Sequence, residues 1–137
     1  MNTLSFIKTF LGTAILLIAI DYIWVGQIAH SFYDSSLGSL ARRLNGSFDP
    51  HVPAVILVYV ILALGIVLFV LPHASTGIWS ALLWGALLGF VTYGVYDATN
   101  YAILANYSLK MAIIDVIWGT FLCGIVSLIV SWVSRVF

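Results

Sequence analysis

Four stretches of this chain are almost wholly apolar and each is long enough to cross a bilayer, for which roughly 20 residues suffice. They cover residues of about 4–28, 52–71, 77–104 and 109–132. What remains cannot coat a soluble domain. Charged residues make up 7% of the chain and hydrophobic ones 63%, against roughly 25% charged in soluble domains. The solvent for most of the surface is therefore lipid. The expected fold is all-α: an integral membrane four-helix bundle, formed by residues 1–137 as one domain. Its first partner is the lipid bilayer.

The first run has the outline of a signal peptide, with Lys8 ahead of an apolar core from Phe10 to Ile20. It continues through Tyr22-Ile23-Trp24-Val25 without a prompt small-x-small cleavage site, so a retained first helix is expected. The second run follows Asp49-Pro50-His51-Val52-Pro53, where proline suits a helix start. It ends at Pro72-His73. Short connections at Pro72 to Thr76 and Ala105 to Ser108 make helices two, three and four antiparallel neighbours.

The one longer connection, Ala29 to His51, joins helices one and two. Leu37, Leu40, Ala41 and Leu44 recur in it at helical spacing, which predicts a short amphipathic helix on the membrane surface. Basic residues fall on both sides: Lys8 and Arg135 on one, Arg42, Arg43 and Lys110 on the other. The positive-inside rule then slightly favours the Ala29–His51 side in the cytoplasm, and the N-terminal amine nearly evens the count. We place both termini inside, with dual insertion as the alternative.

The chain runs up and down four times, so the ends of helices one and three and the starts of two and four share the side of that connection, called the loop side below. Asp21 is late in helix one, Asp97 late in helix three and Asp115 early in helix four. All three therefore fall in the loop-side half of the membrane. An aspartate at the bilayer centre costs about 2.5–3.5 kcal/mol to insert, and no Lys or Arg lies within the spans beside them. Arg42, Arg43 or Lys110 would have to reach down from the surface. Otherwise the aspartates share protons, accept hydrogen bonds from Tyr, Trp and Asn, or face water or a ligand.

The third helix carries Gly85-x-x-x-Gly89, a small-residue pair that permits close helix approach. Steps of three and four lead from it to Tyr93, Tyr96 and Asn100, with Asp97 at the flank. Asp21-x-x-Trp24 in helix one returns as Asp115-x-x-Trp118 in helix four, each pair on one helical face. The repeat is read either as an inverted duplication, a plan known among transporters, or as chance in a low-diversity apolar alphabet. The candidate ligand- or proton-binding residues are accordingly Asp97 and Asn100 at the centre, Asp21 and Asp115 beside them, Tyr93 and Tyr96 as donors, and Trp24 and Trp118 as walls.

Other chemistries find little support. Net charge is zero and no basic run occurs, which argues against nucleic acid. The single cysteine, Cys123, forms no intramolecular disulfide or cysteine cluster. Metal binding by Asp and His51 is a weaker reading, since no HxxxH or HxxE spacing is present, and haem is weaker still. Neither a glycine-rich phosphate loop nor GxSxG occurs, so no cofactor is identifiable.

In Asp21-x-x-Trp24-x-Gly26, the following Phe32-Tyr33, the block Tyr93-x-x-Tyr96-Asp97-x-Thr99-Asn100-Tyr101 and Asp115-x-x-Trp118-Gly119, the chain resembles the small bacterial membrane proteins grouped as domain of unknown function 2177. The resemblance spans nearly the whole chain. It implies a multi-pass protein of the bacterial inner membrane and carries no activity with it. Three functional classes stay open. The pocket binds or moves a small amphiphile or cation with aspartate protonation, for which a homodimer is expected because four helices are few for a pathway. Alternatively it is an active site for a lipid or isoprenoid, one aspartate serving as acid and another as base. Lastly, the chain is a structural subunit of a membrane complex.

Overall fold

The computed structural model describes residues 2–136. Among these, four helical spans are long and apolar enough to cross a membrane: Thr3–Ile28, Val52–Ala74, Ile78–Ile103 and Leu109–Arg135. Lipid offers no hydrogen bonds, so a spanning backbone must satisfy its own, and helices do so within one segment. The first span is α1 (Thr3–Ile23) prolonged by a π-helical turn at Trp24–Ile28. A short helix, α2 (His30–Leu37), and a hairpin of β1 (Arg43–Leu44) with β2 (Ser47–Phe48) follow on the loop side. The second span is α3 (Val52–Gly65), a π turn at Ile66–Val70 and a 3₁₀ stretch at Leu71–Thr76. The third is α4 (Ile78–Ile103) and the fourth lies in α5 (Leu109–Val136).

Local chemistry sets the ends. Asn2 Oδ1 accepts the Ser5 N–H at 2.8 Å and starts α1. Ser108 Oγ accepts the Met111 N–H at 3.2 Å and starts α5. Pro53 stands in the first turn of α3, where its missing N–H costs nothing. Gly77, at φ 145°, makes the reversal into α4 that a side chain would resist.

The surface helix lies earlier than the leucine spacing predicts. The chain is helical from His30 to Leu40 and then turns into the hairpin instead of continuing to Leu44. Asn45 and Gly46 take φ of 50° and 83°, the left-handed pair that a two-residue hairpin turn needs. This turn chemistry outweighs the apolar periodicity. Arg43 pairs with the Asp34 carboxylate at 2.8 Å and donates to the Asp34 and Gly38 carbonyls, tying the hairpin to α2. Phe32, Tyr33 and Leu37 of α2 pack on Tyr107, Met111 and Ala112, so α2 caps the turn between α4 and α5. Lys110 lies 5.7 Å from the Phe32 ring centroid. Neither Arg43 nor Lys110 therefore reaches down to a membrane aspartate.

Helices α4 and α5 form the closest pair. A Cβ on Gly89 would strike the Gly119 carbonyl, one on Gly85 would strike Ser127, and one on Gly119 would strike the Tyr93 ring. Glycines on both helices thus bring the two backbones together. The second span and α1 close the bundle through Leu17, Leu62, Ile66, Leu122 and Val126. Helix α1 touches both α3 and α5, but α4 meets the second span mainly through its π and 3₁₀ parts, and Leu88 lies against Gly65 at their junction. On the loop side, therefore, α3 and α4 part.

Candidate functional site

The two Asp-x-x-Trp motifs face each other. Helices α1 and α5 run antiparallel, and three residues advance a helix by about 4.5 Å, so each tryptophan is carried toward the level of the other helix's aspartate. Trp118 Nε1 donates to Asp21 Oδ1 at 2.6 Å. Trp24 Nε1 donates to the Tyr33 hydroxyl at a long 3.4 Å, and that hydroxyl donates to Asp115 Oδ1 at 2.6 Å. The indoles stack between the two carboxyls, with centroids 4.5 Å apart and planes 13° from parallel. The reciprocal geometry gives the repeated phrase a physical role, whether or not it began as a duplication.

Each membrane aspartate has a tyrosine of its own. Tyr59 of α3 donates to Asp21 Oδ2 at 2.6 Å. Tyr33 of α2 serves Asp115, and Tyr107, from the turn after α4, donates to Asp97 Oδ1 at 2.7 Å. Asp97 is 1% exposed, its Oδ2 has no partner among the described residues, and the Asp115 side chain is its neighbour on α5.

Beside this network lies a partly open cavity of about 360 Å³. Asp21 and Asp115 face it, with Tyr33 from α2 and Thr92, Tyr93 and Tyr96 from α4. Val58 and Leu62 of α3 form the apolar side. Among the described residues, no Lys, Arg or His lines it. Val58 is 52% exposed and Tyr96 57% exposed, so the residues at the mouth face the surroundings where α3 and α4 part. At that depth the surroundings are lipid. Among the described residues, no group of three His, Cys, Asp or Glu side chains is placed to hold a metal ion.

The cavity lining and the face reached by helical stepping from the glycines coincide only in part. Asp97 and Asn100 do not line the cavity, whereas Asp21, Asp115, Tyr93 and Tyr96 do. With Gly85 and Gly89 against α5, steps of four lead to Tyr93 and then Asp97, which drives Asp97 into the α4–α5 contact. Asn100 is half-buried beside the Tyr96 hydroxyl. Trp24 and Trp118 are not cavity walls, since their rings are spent on each other and on the hydrogen bonds behind it. Sequence reasoning overlooked Tyr59 altogether, although it is the only hydrogen-bonding side chain between Val52 and Leu71. Tyr107 was likewise not among the candidate residues, yet it is 6% exposed and donates to Asp97.

Outside the spans, burial raises the phenol pKa of both Tyr33 and Tyr107, and the carboxylates they serve, Asp115 and Asp97, raise it further. A phenol raised in the folded state contributes stability that is whole below its unfolded pKa of about 10 and is lost as pH climbs toward the folded value. In an alkaline absorbance titration, Tyr33 and Tyr107 should stay protonated well past pH 10 and ionise only as the protein unfolds. Normal ionisation of every tyrosine in a still-folded protein would contradict this arrangement.

The chain matches a family described as a predicted membrane protein, DUF2177, over residues 6–132. No curated protein matches it, and neither does any solved structure.

Proposed function

Since the chain belongs to the DUF2177 family of predicted membrane proteins, we propose that its loop-side cavity binds or moves a small cationic amphiphile or cation, with protonation of Asp21 and Asp115 coupled to occupancy. One observation carries this reading: two carboxyls face a single cavity that, among the described residues, has no cationic side chain in its lining. The parting of α3 and α4 gives an occupant a route from the bilayer, which favours an amphiphile over a bare ion. The ligand's positive charge and the proton compete for the same oxygens, so affinity falls as pH is lowered. Tyr33 and Tyr59, each donating to one of these carboxyls, hold their geometry in either state. The setting we propose is the bacterial inner membrane, with a homodimer where a transport pathway is required.

Native mass spectrometry after gentle extraction tests this. Wild type should carry a discrete adduct, lost in Asp21→Asn and in Asp115→Asn. Asp97→Asn should keep it, because Asp97 does not line the cavity. Equal spectra without adduct from equally folded proteins would abandon the reading in favour of a structural subunit. That second reading draws on the tyrosine already donated to each aspartate. Acid–base catalysis on a lipid or isoprenoid by the two carboxyls that face the cavity, Asp21 and Asp115, predicts instead turnover of added lipid without any gradient.

A further inference from the structure

A second cavity, of about 530 Å³, lies at the opposite end of the bundle, between the first half of α1 and the last turns of α5. Ser5, Lys8, Thr9 and Gly12 line it from α1 and Ser134 from α5. The α1 residues are spaced i, i+3, i+4 and i+7, one face of a helix. That polar face belongs to a helix whose other sides are apolar, and it looks into open space rather than into the core. Leu16 and Val130 form the deeper, apolar end.

Two features argue that the space has a use. Gly12 sits mid-helix, where glycine costs roughly 1 kcal/mol relative to alanine. Unlike Gly85 and Gly89 it serves no close contact, for a Cβ there would meet nothing within 4 Å. A larger side chain there would project into the cavity that Gly12 lines. Lys8 lies inside the span, about 7.5 Å along the axis from Thr3, where an ammonium seeks an anion or the interface. Among the described residues no carboxylate lines this cavity, and the ion pair present among them joins Arg43 to Asp34 on the other side. The neighbouring cation Arg135 is engaged, its guanidinium donating to the Ala74 carbonyl at 2.5 Å.

We propose that this cleft binds a phosphate group, that of an anionic phospholipid. Lys8 supplies the counter-charge, the hydroxyls of Ser5 and Thr9 donate to the phosphate oxygens, and an acyl chain follows Leu16 and Val130; the Ser134 hydroxyl at the rim already donates to the Ser131 carbonyl. A hydroxyl-and-lysine set at this depth suits phosphate, and the apolar end favours the lipid over the free ion. The site stands on residues separate from the loop-side cavity, so either can fail without the other.

The test is lipid retention by the purified full chain, titrated with phosphatidylglycerol, phosphatidylcholine or inorganic phosphate and read by native mass spectrometry. Wild type should retain phosphatidylglycerol about 10-fold better than phosphatidylcholine. Lys8→Gln should abolish that preference. Gly12→Leu, which keeps every charge and fills the cleft, should lower phosphatidylglycerol retention at least 5-fold, while Lys110→Gln should leave it unchanged. Lys8 and Gly12 are exposed, so neither variant should unfold below the wild-type temperature, and Gly12→Leu should gain slightly from helix propensity. Loss in Lys8→Gln without loss in Gly12→Leu would reduce the effect to general attraction between a lysine and anionic lipid and overturn the site. Displacement of the lipid by millimolar inorganic phosphate would overturn its assignment to phospholipid.

Discussion

Replacing Gly89 with leucine is expected to leave no monodisperse, folded protein after extraction. A Cβ at this position would already overlap the Gly119 carbonyl, and backbone atoms cannot step aside as a flexible side-chain end does. The helices must separate. That separation undoes the contacts of Tyr93 with Gly119 and of Gly85 with Ser127 as well. Overpacking a well-filled interior costs about 1–3 kcal/mol, occasionally more, and here it acts on the closest helix pair in the bundle. Gly89→Ala should be milder but still lower the unfolding temperature. Gly94→Ala on the same helix is the control. A Cβ there meets nothing within 4 Å, so that variant should match or exceed wild type, by up to about 1 kcal/mol from helix propensity. Thermal unfolding in detergent separates these outcomes. A Gly89→Leu protein as stable as Gly94→Ala would refute the close α4–α5 contact.

The second large effect is expected at Asp21. Asp21→Leu removes the acceptor of both the Tyr59 hydroxyl and the Trp118 indole N–H. Leaving a buried donor unpaired costs about 1–3 kcal/mol, so the two together lose about 2–6 kcal/mol. Asp21→Asn should cost less, since its amide oxygen still accepts one of the bonds and a hydroxyl can turn to accept from its amide group. The decisive comparison is a double-mutant cycle. Tyr59→Phe removes one orphaned donor, so Asp21→Leu with Tyr59→Phe should be less destabilised than the sum of the two single changes, by about 0.5–3 kcal/mol. Additive losses would mean that the hydroxyl and carboxyl do not act as a pair. Tryptophan fluorescence should follow the same order, because Trp118 stacks on Trp24 and loses its acceptor with Asp21.

Much of this molecule is legible in its sequence. The apolar runs announce four spans because lipid imposes a length and a composition on anything that crosses it. Counting alternate crossings puts Asp21, Asp97 and Asp115 in one half of the bilayer. Gly85 and Gly89 marked a close helix contact, although their partner Gly119 went unnoticed in that role. The Asn45-Gly46 turn was also present in the residues, and the leucine spacing around it was read through it.

What the sequence by itself determined, then, is where the helices lie, which ends share a side and at what depth the carboxyls sit. All of these follow from local composition and from rise per residue. Only the tertiary structure decided which aspartates face the cavity. That depends on how far each helix is turned about its axis, and packing against other helices sets that rotation. The glycines of α4 press Asp97 against α5 and leave Tyr96 outward, while the parting of α3 from α4 exposes Asp21 and Asp115 to a common space. Tyr59, Tyr33 and Tyr107 reach their carboxyls from three different elements, two of them far away in sequence. No spacing within one helix encodes such meetings, which exist only once the chain has closed.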